Sequence, residues 1–207
     1  MRIFAVIAVG AALVAAATAA ALALTLTATP TAVAYGKAST LNGVLSTHKA
    51  NQTVKVDATE CGTNSSKTIG TVKTNATGAY TMAVTPIVNT TYQATQKNTK
   101  SPTVAVTVAP VLKLLRAGPA TYTVSVTSAL DLKGKAILFQ RYSKLRKRWV
   151  QIRRVLLTTS TPGTKPTVVN SVYINAKVAK GRRVRAVLSK AQASPCYVAV
   201  KSNSLRA

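Results

Sequence analysis

The sequence predicts an all-β protein, two small β-sandwiches in tandem behind an N-terminal leader. Three observations carry that reading. After the first two dozen residues threonine and valine dominate, and polarity alternates with period two over short runs. No later segment shows the apolar spacing of three and four that lets a helix bury one face. With the leader set aside about 185 residues remain, more than one small sandwich requires and comfortable for two cores.

Residues 1–23 read as the leader. Arg2 opens it, and an unbroken apolar and small-residue run from residue 3 to residue 24 contains no acid, which is a secretory signal pattern. Ala19, Ala21 and Ala23 offer cleavage options, so the mature chain is expected to begin near Leu24 and to be secreted or held at the cell envelope. The alternative is an uncleaved membrane anchor, since roughly 20 apolar residues span a bilayer as one helix.

The first unit, residues 24–109, reads as strands over 24–29, 39–45, 52–59, 67–74, 79–85, 91–96 and 102–108, with an extra edge segment at 32–35. Turn chemistry separates them: Thr29-Pro30, Tyr35-Gly36, residues 62–65, residues 75–78, Pro86 and Ser101-Pro102. Asn42-Gly43 falls inside a strand and suggests a bulge. The second unit, residues 110–207, repeats the layout at 111–115, 121–127, 135–142, 148–158, 166–176, 182–190 and 197–205. A loose internal repeat is visible: Tyr92-Gln93-Ala94 and Ser101-Pro102-Thr103-Val104 answer to Val184-Arg185-Ala186 and Ser194-Pro195-Cys196-Tyr197. Between the units, Val108-Ala109-Pro110-Val111 is too short and apolar for a flexible linker, so the units should abut.

Three segments of the first unit carry a family resemblance: Ala34-Tyr35-Gly36-Lys37-Ala38-Ser39-Thr40-Leu41-Asn42-Gly43, Thr74-Asn75-Ala76-Thr77-Gly78-Ala79-Tyr80 and Pro86-Ile87-Val88-Asn89-Thr90-Thr91-Tyr92. With them the chain resembles the immunoglobulin-like repeats of bacterial, notably actinobacterial, secreted and surface proteins. The second unit looks like a divergent partner, with Trp149 after a strand and Ser202-Asn203-Ser204-Leu205 near the end. The resemblance implies two tandem immunoglobulin-like or fibronectin III-like sandwiches over nearly all the mature chain. It implies little about activity, because such sandwiches host many unrelated functions. Val184 stands where the first unit has Tyr92, and neither unit has the antibody Cys, Trp, Cys pattern.

Catalysis needs positioned acids, bases or metal ligands, and the inventory is His48, Asp57, Glu60, Asp131, Cys61 and Cys196. Asp57 and Glu60 are three apart on one strand, which points them to opposite faces and does not suit a glycosidase pair. His48 lies in the polar turn Ser46-Thr47-His48-Lys49-Ala50-Asn51 and reads as a solvated loop residue. Cys and His do not cluster, so no metal, no cofactor, no catalytic residue and no small-molecule substrate is expected. Four Asn-x-Ser/Thr sequons, at Asn51, Asn64, Asn75 and Asn89, mark exposed loops only.

Charge is the informative property. The chain carries 28 Lys plus Arg against three acids, a net +25. Residues 24–109 hold seven lysines and two acids, whereas residues 110–207 hold twenty basic residues and one acid. Lys144-Leu145-Arg146-Lys147-Arg148 occupies one turn of the second unit, and Lys177-Val178-Ala179-Lys180-Gly181-Arg182-Arg183 joins two later strands. Immunoglobulin-like topology implies that both connections, with Arg206, lie at the end away from the first unit. The expected polyanion-binding residues are therefore Lys144, Arg146, Lys147, Arg148, Lys177, Lys180, Arg182 and Arg183, flanked by Tyr142 and Trp149. Arginine's planar fork suits phosphate and carboxylate, so anionic cell-envelope polymers or anionic surfaces are the expected partners. Nucleic acid is the runner-up on phosphate attraction alone, without a recognition motif. A purely structural spacer whose cations merely solubilise it is the third reading. Trp149 reads as a core or rim aromatic rather than a base-stacking platform.

The same topology implies a disulfide between Cys61 and Cys196. Cys61 lies in the turn after the third strand of the first unit, at the end facing the second, and Cys196 lies at the end of the second unit facing the first. Two separate thiols or an intermolecular bridge remain the alternatives at this level.

Overall fold

The computed structural model describes residues 23–207, and the expected leader over 1–23 lies outside the described residues except for Ala23. Ala23 already joins the fold, its amide donating to Ser46 Oγ at 2.8 Å, and Leu24 bridges Leu45 with its side chain 3% exposed.

The described chain is all-β apart from one short helix. In the first half, β1 (Thr27–Thr29), β3 (Ser39–Val44) and β6 (Ala79–Val84) form an antiparallel sheet in the order β1-β3-β6. A second sheet runs β2 (Ala32–Ala34), β9 (Val104–Ala109), β7 (Thr90–Gln96), β4 (Thr53–Glu60) and β5 (Lys67–Lys73), with β8 (Thr99–Lys100) paired to β7. The alternation read from the sequence is the burial pattern. Val54, Val56 and Ala58 of β4 and Tyr92 and Ala94 of β7 turn inward with Leu41 of β3, while the intervening threonines and lysines face out. The segment at 32–35 is a strand, paired in parallel with β9.

The second half repeats this arrangement. One sheet runs β10 (Val111–Arg116), β11 (Thr121–Ser128), β15 (Val168–Asn175) and β14 (Thr159–Pro162). The other runs β13 (Arg148–Leu156), β12 (Ala136–Ser143) and β16 (Arg183–Leu188), with the two-residue strands β17 (Val200–Lys201) and β18 (Leu205–Arg206) both on β16. Tyr122 of one sheet stacks on Phe139 of the other with ring centroids 5.0 Å apart, and Leu114, Val124, Ile174, Val184 and Leu188 complete the layer between them. No strand from either side of Pro110 pairs across it among the described residues.

Three sequence expectations change. The strand expected over 197–205 is not one strand: after β16 the chain makes α1 (Lys190–Ala193), and only β17 and β18 rejoin the sheet. Tyr197 causes the break. Its side chain is buried, its Oη accepts from the amides of Ala129 and Leu130, and the next amide, Val198, donates to Val108 of the other half. The segments that match each other are not the ones the sequence paired. Ala94 and Ser101 exchange two hydrogen bonds, Ala94 N to Ser101 Oγ and Ser101 N to Ala94 O, and Ala186 makes the same pair with Ser202 rather than with a residue near Ser194. The inserted α1 segment shifts the match. Finally, Asn42-Gly43 is no bulge, because β3 keeps regular register with β6 through Gly43 and Tyr80. The bulges lie between Val56 and Asp57 in the β4-β5 pair and between Phe139 and Gln140 in the β12-β13 pair.

The halves are joined covalently and by backbone. Cys61 and Cys196 form a disulfide across 135 residues. Around it Asn89 serves both sides, accepting from the Val108 amide and the Cys61 amide while donating to Pro195 O and Cys196 O at 2.8 and 2.9 Å. Tyr35 Oη lies 3.1 Å from Thr167 Oγ1, a second bridge between the halves. Pro110 is buried at the junction, and the buried apolar side chains form one contiguous cluster spanning both halves.

Candidate functional site

The end of the second half opposite the disulfide is where the cations gather. Three connections meet there: the β10-β11 turn, the β12-β13 turn and the long β15-β16 loop, joined by the final strand β18. The β12-β13 turn holds residues 144–147, closed by Ser143 pairing with Arg148 and by the Arg146 amide donating to Ser143 Oγ. Lys147 sits there at φ 47°, the left-handed value a tight connection needs. Leu145 at its apex is 94% exposed. Across the sheet, Gly181 N donates to Ala207 O and Ala207 N to Arg182 O, so the last residues are laced to the β15-β16 loop and Arg206 pairs with Arg183.

The outcome is a cleft of about 380 Å³ lined by Lys144, Arg182, Arg183 and Arg206, with Tyr142 and Gly181. A neighbouring cleft of about 360 Å³ shares Lys144 and Arg182 and adds Arg141 and Leu145. The four cations of the first cleft come from three separate stretches of chain, and the registry of β12, β16 and β18 brings them together. Among the residues expected from the sequence, Lys144, Arg182 and Arg183 line this cleft. Arg146, Lys147, Arg148 and Lys180 stand exposed on the surrounding turns without lining it. Lys177 is separated from the group and lines another cavity with Arg141 and Arg153.

The outer face of the same sheet holds a residue that sequence reasoning missed. Arg185 lies over the Trp149 ring at 4.2 Å, its Nε donating to Gln140 Oε1 at 2.8 Å, and burial pulls the pKa of its guanidinium down from the ordinary arginine range. Arg183 lies 5.2 Å from the Tyr142 centroid and 5.7 Å from that of Trp149, while the two rings meet edge to face at 5.6 Å. The period-two alternation of Arg183, Val184, Arg185 could have signalled this, since it places both arginines on the face opposite the core. The stacking fixes where the guanidiniums stand, and Arg185 covers one face of the Trp149 ring.

No acidic side chain among the described residues offsets these charges. Asp131, the acid of the second half, lies at the other end, accepting from the Lys133 amide and from Asn170 Nδ2 at 2.8 and 2.6 Å. Those hydrogen bonds hold its carboxyl below the usual range. The ion pair found among the described residues, Lys55 with Asp57 at 3.1 Å, is in the first half. His48 is exposed in its turn, and Asp57 is engaged by Thr68 and Lys55. Among the described residues no group of His, Cys, Asp and Glu is arranged to hold a metal ion, and no helix is long and apolar enough to cross a membrane.

No protein-family model matches the chain, and no curated protein is significantly similar to it.

Proposed function

We propose that this protein is an exported, non-catalytic binding module, two immunoglobulin-like sandwiches in tandem, whose basic end holds anionic polymers of the cell envelope. The tandem reading is supported by two sheets in each half, in the orders β1-β3-β6 with β9-β7-β4-β5, and β10-β11-β15-β14 with β13-β12-β16, an arrangement compatible with immunoglobulin-like sandwiches. Export is supported by the leader pattern in residues 1–23 and by an inter-half disulfide, a bond that persists in oxidising surroundings.

The observation that carries the binding role is the convergence of Lys144, Arg182, Arg183 and Arg206 on one cleft with no acidic side chain lining it. Like charges brought this close repel one another and lower stability unless an anion sits among them. Arginines preset by stacking on Tyr142 and Trp149 lose less freedom when they take a phosphate or uronate. Base stacking has no free platform on the covered Trp149 face, which favours polymers read by charge over nucleic acid.

The test is retention of the oxidised protein on immobilised polyphosphate, polyuronate and DNA across a salt series. Retention at physiological salt with a steep salt slope is expected for the first two. Substituting Arg146, Lys147, Arg148, Arg182 and Arg183 together by Ser should abolish it and flatten the slope by about 0.9 for each phosphate no longer neutralised, with the fold retained because exposed charges add little to stability. A wild-type protein that passes all three resins at physiological salt would leave the spacer reading standing. Stronger retention on DNA would favour nucleic acid.

A further inference from the structure

We infer that a second site lies between the sheets of the same half, taking a single carboxylate or phosphate group carried on an apolar body. The cavity there measures about 620 Å³, within the range of small-ligand sites. It opens beside the polyanion cleft but is lined by different cations: Arg141 of β12, Arg153 of β13 and Lys177 after β15, with the Asn175 amide. Neither Arg182 nor Arg183 lines it, so the site does not depend on the polymer-binding reading.

The geometry of β12 and β13 explains why charge enters this space. On β12, Ile137 and Phe139 face the core, and two residues further along the same face comes Arg141, where the alternation calls for another apolar side chain. On β13 the bulge inserts Ile152 between Gln151, which pairs with Gln140, and Arg153, which pairs with Phe139. The extra residue turns Arg153 to the inner side of an edge strand while Ile152 supplies apolar wall. Val178 adds to that wall across the opening.

A guanidinium Nε–H taken out of water in this position needs an acceptor. Arg141 Nε is buried without a hydrogen-bond partner among the described residues. Among the described residues Tyr122 Oη is also buried without one, and its ring packs on Phe139, two residues along the strand from Arg141. Buried donors left unpaired are costly, and natural proteins keep few of them. The unpaired Arg141 Nε, with three cations, an amide and no acidic side chain lining the cavity, suits it to an anionic head group. The apolar wall selects among anions: a bare ion satisfies the cations and leaves Ile152 and Val178 wet, whereas an amphiphilic acid covers both.

Isothermal titration of the oxidised full chain with octyl phosphate, octanoate, inorganic phosphate and uncharged octyl glucoside tests this. Saturable one-to-one binding of octyl phosphate or octanoate is expected, with inorganic phosphate at least about tenfold weaker and octyl glucoside not binding. The relative affinities of the first two show which head group the site prefers. Arg141→Met should weaken binding by about tenfold or more, the effect expected on removing charge-assisted hydrogen bonds, without lowering the melting temperature. A merely structural arginine would lower the melting temperature and leave affinity unmoved. Should R141M fail to fold, the exposed pair Arg153→Gln with Lys177→Gln decides, and it should weaken binding while Arg182→Ser with Arg183→Ser does not. Absence of saturable binding to the wild type, equal affinity for octyl phosphate and inorganic phosphate, or affinity unchanged in R153Q/K177Q would overturn the inference.

Discussion

Gly43 and Asn89 show how much of this fold rests on single positions whose importance has no local signature. Gly43 lies in the middle of β3, where a Cβ would stand 2.2 Å from Thr25 O and 2.3 Å from the Tyr80 ring. Tyr80 crosses that space to donate its phenol to Thr25 O, so the glycine is the gap that admits the ring. Gly43→Ala should cost about 3 kcal/mol, the upper range for overpacking a core. Gly36→Ala, at φ +81° with open space around it, should cost only about 1 kcal/mol of backbone strain. Chemical denaturation of both variants separates the two causes. Asn89 reads in the sequence as a sequon in an exposed loop, yet its amide group holds Val108 N and Pro195 O on the two sides of the junction. Asn89→Ala should destabilise by about 1 to 2 kcal/mol, chiefly by stranding the amide of buried Val108, since water can reach the exposed Pro195 carbonyl.

Among the elements, the junction and the final strand carry the consequences. The disulfide closes a loop of 135 residues, and in the chain-entropy account closing a loop this long stabilises by about 4 to 5 kcal/mol. Cys61→Ser with Cys196→Ser should therefore lower unfolding free energy by about that amount. It should leave the two halves in contact through Asn89 and the Tyr35 to Thr167 hydrogen bond. Denaturation with and without reductant, followed by small-angle scattering of the reduced form, checks both parts. The β16 to β18 stretch works differently from its counterpart in the first half. There β9 pairs along β2 and β7, whereas here Asn203 substitutes a side chain for a strand, its Oδ1 accepting from Leu114 N and its Nδ2 donating to Leu114 O, both at 2.9 Å. That amide couples β10 to the last residues, which in turn carry Arg206 to the basic cleft.

Over the whole molecule a net charge of +25 should make stability respond to salt in opposite ways with and without polyanion. Alone, the protein should gain in melting temperature as salt screens the self-repulsion. Bound to polyphosphate at about 100 times its dissociation constant it should gain about 2.7 kcal/mol, and added salt should remove that gain. Crossing curves in differential scanning calorimetry are the expected result. The pH response is expected on the alkaline side. Burial pushes Tyr80 and Tyr92 up to about 12 from 10.0, and Tyr197 up as well. A phenol whose folded value is raised contributes stability that is intact below pH 10.0 and is lost as pH rises toward about 12, because the unfolded chain releases its proton first. Phenolate absorbance and circular dichroism should report ionisation and unfolding together in that window.

The all-β class, most strand positions and the charge asymmetry between halves are local or additive properties, and the sequence determined them by itself. Alternation of Val54, Val56 and Ala58 needs only the period of a strand, and counting lysines and arginines needs no structure at all. Tertiary structure decided the rest, because it depends on which strands become neighbours. The break at Tyr197 follows from a ring buried against the 129–130 loop, 67 and 68 residues distant along the chain. Lys177 left the expected cluster, while Arg206, expected at the same end, lines the cleft, because sheet registry rather than spacing along the chain sets which cations face one another. Arg185 of β16 and Arg141 of β12 present opposite faces of one sheet: one stacks on Trp149 outside it, while the other reaches inward, where no described residue partners its Nε.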